Sequence, residues 1–157
     1  MIRGAIWQIE RCLRLSCCGV IDGAAPLEVT GTDADVIWRF PIHERVNSYP
    51  HDAAHCSILI DGPFLYVNTG NGVDNTHRRI RRPDAPSLIV LDKRTGRLLA
   101  QDNEKIGPMI FHCTWSSPAM GEVDGKKLLI FGGGDGVCYA FKPLEEIPPE
   151  GTVKHLE

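Results

Sequence analysis

The stretch Ser87-Leu88-Ile89-Val90-Leu91-Asp92-Lys93-Arg94-Thr95-Gly96 constrains this chain more than any other. Leu88, Ile89, Val90 and Leu91 have the aliphatic, partly β-branched character of a strand buried on both faces. They run into a polar turn, where Asp92 is placed to bond backbone two residues on and Gly96 accepts the positive φ of a reversal. Arg97-Leu98-Leu99-Ala100-Gln101 reads as the returning strand. The chain is therefore expected to be built from short antiparallel strands joined by tight turns.

Other segments are imperfect copies of this unit. Residues 35–40, 56–60 and 64–69 read as strands, with Asp61-Gly62 as a turn. In the third, Phe64, Tyr66 and Asn68 fall on one face and Leu65 and Val67 on the other. Residues 70–86 are a long polar insertion, and 102–111 a loop. The pattern then restarts: 115–120, 128–131 and 137–141 read as strands, separated by turns at Asp124-Gly125 and at the glycine-rich 132–136. Ser57-Ile58-Leu59-Ile60 is matched 60 residues later by Ser117-Pro118-Ala119-Met120, and His51 and His112 precede the two units at nearly the same offset. Self-similarity with four short strands per unit is the signature of a β-propeller. The expected fold is all-β, with seven or eight strands forming about two four-stranded antiparallel blades, at 56–101 and 115–141, within a repeat region 31–157. Two blades cannot close a ring of about 4–8. The remaining blades of a larger protein, or self-association, are expected to cover the open blade faces.

Residues 1–30 read as an N-terminal segment of uncertain origin followed by a linker, and residues 1–20 have no counterpart among the repeat units. Ile6, Ile9 and Leu13 predict a short amphipathic helix over 5–14. Residues 41–54 read as a loop, and 144–157 as a tail without regular structure. Glu10, Arg11 and Arg14 interrupt any signal-peptide core, and no apolar run is long enough for a membrane helix. The net charge of −3 argues against a nucleic-acid partner, which needs a basic excess. None of the six cysteines forms a C-x-x-C or zinc-finger pattern, so reduced, mostly buried thiols are expected.

The run Val90-Leu91-Asp92-Lys93-Arg94-Thr95-Gly96-Arg97 resembles the repeat of the pyrroloquinoline quinone (PQQ)-like propeller family, A-x-D-x-x-T-G-K-x-x-W. Ser116-Ser117-Pro118-Ala119 and Gly133-Gly134-Asp135-Gly136-Val137-Cys138-Tyr139-Ala140-Phe141 extend the likeness, which covers about residues 26–143. The family's tryptophan, which packs each blade on the next, would fall at Ala100, whereas Trp38 holds the equivalent place one blade earlier. The resemblance implies a periplasmic or secreted protein.

Thr69-Gly70-Asn71 is also similar to the quinoprotein alcohol dehydrogenases, in which this asparagine ligates calcium beside the quinone. The resemblance thus makes Asn71 and Trp115 the cofactor-side residues, with PQQ and Ca2+ as cofactors if the chemistry is present. An amide oxygen suits calcium. The competing reading, a turn asparagine in a left-handed conformation, is favoured because the other ligands are not visible. In those enzymes a stretch like His112-Cys113-Thr114-Trp115 leads into an aspartate that acts as general base. Here Ser116 stands there, and a hydroxyl without a neighbouring base takes no proton at neutral pH. Cys17-Cys18 is similar to a disulfide of some of those enzymes, but its surroundings do not match.

No catalytic set is therefore expected, and no cofactor. No metal site is expected either: His51 and His55 have x3 spacing, but Pro50 and the loop context do not supply a helix. Arg78-Arg79-Ile80-Arg81-Arg82 is a candidate contact for an anionic ligand, or a solvated loop tip offset by Asp74 and Asp84. The glycines at 132–136 lack the Gly-Lys-Ser/Thr of a phosphate loop and read as a hairpin. The leading expectation is a non-catalytic binding or scaffold segment. The alternative is a segment of a PQQ-dependent dehydrogenase of alcohols or sugars.

Overall fold

Apolar residues in strands 88–91 and 64–67 can be buried only if both faces of their sheet are covered. The computed structural model, which describes residues 6–10, 36–51 and 56–157, has this arrangement. Strand β4 (Phe64–Asn68) pairs antiparallel with β5 (Leu88–Asp92), from Phe64 opposite Asp92 to Asn68 opposite Leu88, and every residue of both is buried. β3 (Leu59–Asp61) flanks β4, and β6 (Leu98–Gln101) flanks β5, both antiparallel. These four strands form a meander in chain order.

The alternation in β4 falls as its sequence predicts. Phe64 and Tyr66 join Leu88, Val90 and Leu99 in one apolar cluster. That cluster is completed by Leu129, Phe131 and Phe141 of a second, three-stranded antiparallel sheet, β7 (Ala119–Val123), β8 (Lys126–Gly132) and β9 (Cys138–Phe141). On the opposite face, Leu65, Val67, Ile89 and Leu91 pack against Phe40, Ile42 and Val46. Burial pushes the Tyr66 phenol up to about 12, so it stays neutral, and its oxygen accepts the Leu144 N–H at 3.1 Å.

The β5–β6 turn forms as its residues predict. Asp92 Oδ1 accepts the N–H groups of Arg94 (2.7 Å) and Thr95 (3.2 Å), and Gly96, at φ +71°, donates to the Asp92 carbonyl at 2.8 Å. Trp38, in β2 (Val36–Pro41), covers this turn. Its indole N–H donates to the Lys93 carbonyl at 3.0 Å, and a Cβ on Gly96 would stand 2.5 Å from the Trp38 ring. At the other end of β5, buried Asp102 accepts the N–H groups of Ser87 (2.6 Å) and Leu88 (2.7 Å). Burial outweighs these two donors and raises its carboxyl pKa above the usual aspartate range.

Four expectations are corrected. The segment expected as a helix over 5–14 is, where described, a strand, β1 (Ile6–Glu10), paired parallel with β2. Isoleucine and tryptophan favour strands, and an available neighbour outweighs a weak helical period. The loop 41–54 begins with a short helix, α1 (Ile42–Val46), because Ile42 and Val46, four residues apart, both enter the core. The tail contributes β10 (Lys154–His155), parallel to β6, with Leu156 donating to the Gln101 carbonyl at 2.9 Å. The described residues therefore hold ten strands rather than seven or eight. β3 and β7 also begin later than expected; Pro118, lacking an N–H, stands just before β7. The residues before 6 and those at 11–35 and 52–55 lie outside the described set, as do the readings placed on them: the linker, Cys17-Cys18 and His55. The class is all-β, and no sheet closes into a barrel among the described residues.

Two outcomes follow from these contacts. Gly96→Ala should destabilise the fold by about 1–3 kcal/mol, read from the urea midpoint, because it adds left-handed strain to a clash with Trp38. For Asp102, a raised folded-state pKa means that the native state binds a proton the unfolded chain still lacks. Its contribution to stability therefore rises as pH falls from the folded to the unfolded pKa. The stability of the wild type relative to Asp102→Asn should increase over that interval on a chemical-denaturation pH series.

Candidate functional site

Three segments distant in sequence are laced together at one end of β4. Residues 70–73, the start of the expected polar insertion, form the middle thread and are buried. On one side, Pro50 bridges Asn71, Gly72 donates to the Tyr49 carbonyl at 3.0 Å, and His51 donates to the Gly70 carbonyl at 3.2 Å. On the other, Gly72 bridges Cys113, Val73 donates to the His112 carbonyl at 2.8 Å, and Thr114 donates to the Asn71 carbonyl at 3.2 Å. Gly72 makes the lacing sterically feasible: a Cβ there would lie 2.6 Å from the His112 oxygen and 2.9 Å from His51 Cβ.

Thr69-Gly70-Asn71 is spent on this lacing. Thr69 Oγ1 donates to the Pro86 carbonyl at 2.7 Å. Asn71 is fully buried; its Oδ1 accepts the Tyr49 N–H at 3.0 Å, and its Nδ2 donates to the Arg82 carbonyl at 2.9 Å. The left-handed residue of the motif is Gly70, at φ +67°, while Asn71 is not among the positive-φ residues, which corrects the expected left-handed turn asparagine. Asn68 ties the same end of β4 to the next segment, donating to the carbonyls of Thr114 (3.1 Å) and Ser116 (2.7 Å).

The lacing brings three histidines together. Ring centroids lie 4.6 Å apart for His51 and His77, 4.5 Å for His51 and His112, and 4.8 Å for His77 and His112. One nitrogen from each falls within 4.8 Å of the others. His51 is buried, His112 half-buried and His77 exposed, so the cluster opens to solvent on the His77 side. His51 Nδ1 lies 2.9 Å from the Val73 carbonyl. A carbonyl only accepts, so Nδ1 carries the proton and Nε2 faces His112 Nε2, 2.9 Å away. His77 sits at a loop tip with φ +57°, a conformation histidine tolerates better than most side chains. Its N–H donates to the Asp74 carbonyl at 2.9 Å. The Asp74 carboxylate accepts the Thr76 hydroxyl (2.6 Å) and N–H (3.0 Å) and the Arg78 N–H (3.4 Å). These donors, led by the Thr76 hydroxyl, hold the Asp74 carboxyl below the usual aspartate range.

Trp115, 41% exposed, stands edge-on to His112 at 4.9 Å between ring centroids. Of the two cofactor-side residues expected from the resemblance, Trp115 thus borders the histidines with its ring, and Asn71 supports them through its backbone. Ser116 turns to structure, its hydroxyl accepting the Gly132 N–H at 3.1 Å. Arg78, Arg79, Arg81 and Arg82 are exposed on the loop that carries His77, and the Arg81 guanidinium lies over the Tyr49 ring at 4.6 Å. A separate groove between Phe64, Lys127 and Leu144 shares no residue with the cluster, and Lys127 there pairs with Asp61 at 2.7 Å.

Local spacing could not reveal the histidine cluster, because its members come from three loops. The one signal was the matching offset of His51 and His112 before the two repeat units. A scan against models of known families, a search of curated proteins and a search of solved structures each return no match. Asn71→Ala should leave the Tyr49 N–H and the Arg82 carbonyl unpaired. It should lower stability by about 2–4 kcal/mol in chemical denaturation.

Proposed function

We propose that the chain is a segment of a PQQ-like β-propeller that serves as a binding or scaffold module and has no quinone chemistry of its own. The observation that carries this reading is the seat of Trp38. It stands on Gly96 and bonds the Lys93 carbonyl, within the Asp-Lys-Arg-Thr-Gly turn of the β3–β6 meander. That is the contact the resemblance assigns to the tryptophan packing one blade on another. The meander β3–β6 then corresponds to one blade, and β7–β9 to the first three strands of the next. Exposed Val123 in β7 and Val137 before β9 fit a face that a further blade, or a second copy of the chain, would cover.

The absence of quinone chemistry is supported by what the matching residues do. Both ends of the Asn71 amide are committed to backbone groups, and the Ser116 hydroxyl is held by Gly132. Trp115 favours the second reading, a segment of a quinoprotein dehydrogenase, because a half-exposed indole is a stacking surface for a planar cofactor. Titration of the chain with PQQ in the presence of Ca2+, followed by absorbance, separates the two. The binding-module reading expects no stoichiometric complex. A tight one-to-one complex would overturn it in favour of the dehydrogenase segment.

A further inference from the structure

We propose that His51, His77 and His112 form a binding site for a late first-row transition-metal dication, with Zn2+ its best-suited occupant. The site stands on its own geometry and does not depend on the chain being part of a propeller.

The donor chemistry selects the metal class. Three neutral imidazole nitrogens suit zinc, copper or nickel, whereas calcium and magnesium take oxygen ligands. The site is thus distinct in kind from the calcium position that Thr69-Gly70-Asn71 suggests by resemblance. Tetrahedral zinc with Zn–N bonds of about 2.0–2.1 Å needs its nitrogens roughly 3.4 Å apart. His51 and His112 already approach to 2.9 Å, and all three donor atoms fall within 4.8 Å. Closing the triangle therefore needs a shift of the third imidazole, and His77 is the exposed one, on a loop tip.

The surroundings have the features of a built site. The Val73 carbonyl fixes the His51 ring through Nδ1, which aims Nε2 into the cluster; metal-bound histidines are commonly oriented by such an outer partner. The Asp74 carboxylate, held by Thr76 and Arg78, organises the loop that presents His77. Gly72 lets the His51 and His112 segments approach each other. On binding, His112 takes up the tautomer that carries its proton on Nδ1, so that both imidazoles stay neutral and both Nε2 lone pairs turn to the metal. Three histidines leave a fourth position, which faces the solvent side for water or an exogenous donor.

The test uses the full chain, stripped with a chelator and titrated with Zn2+ by calorimetry, with Ca2+ as the comparison ion. One Zn2+ per chain is expected, with no comparable Ca2+ binding. A Zn2+ concentration about a hundredfold above Kd should raise Tm by about 5–10 °C. His77→Asn is the decisive variant, because asparagine tolerates the left-handed backbone and the position is exposed, so the fold should persist by circular dichroism. It should weaken Zn2+ binding by at least the about 10–100-fold that follows loss of an outer-shell partner. Absence of stoichiometric Zn2+ binding by the wild type would overturn the site. So would binding that His77→Asn leaves unchanged, since the metal would then sit on other histidines or cysteines.

Discussion

The pairing of β4 with β5 is the constraint on which the rest of the molecule depends. Ten residues in two short strands are buried, so the sheet is stable only while both faces are covered. Aliphatic side chains provide the driving force: removing their surface from water is worth roughly 25 cal/mol per Å2. One face is covered by β7–β9 and the other by Trp38, Phe40 and α1. Every later feature, including the loops that carry the histidines, is fastened to an end of these two strands.

What could be read from the sequence was local. The β5–β6 turn needs only Asp92 and Gly96, which lie within five residues, and the two faces of β4 follow from a period of two. The hairpin at 132–136 is likewise set by neighbouring glycines, with Gly133 donating to the Val137 carbonyl at 2.8 Å. The failures were long-range. Whether Ile6–Glu10 coils or extends is decided by β2, about thirty residues away. β10 exists because β6 offers unpaired backbone to a segment more than fifty residues later. Local propensity is too weak to predict either outcome.

The candidate site illustrates the same division. Residues 70–86 looked like a polar excursion because Asn71, Asp74, Asn75 and four arginines dominate the composition. In the fold, 70–73 are buried, and the polar side chains of Thr69 and Asn71 satisfy backbone groups that would otherwise be stranded. A motif whose resemblance suggested ion binding is therefore occupied with architecture. Three histidines with no mutual spacing are brought together by the loops that this architecture connects. Their meeting requires contacts between segments that share no local signal.

Strand β10 has a consequence beyond packing. A sheet of alternating apolar strands is at risk wherever its last strand exposes a row of unpaired N–H and C=O groups, because another chain can dock there and propagate. Without the tail, that strand would be β6, whose Leu99 and Ala100 are buried. Two residues, Lys154 and His155, occupy part of this border, and Lys154 brings charge to it. Among the described residues the opposite border is β3, only three residues long and ending in Asp61, whose carboxylate pairs with Lys127. Both margins of the central sheet are thus short and charged, which makes them poor templates for cross-β growth. Residues 154–155 thus guard this edge against self-templating as well as pairing with β6.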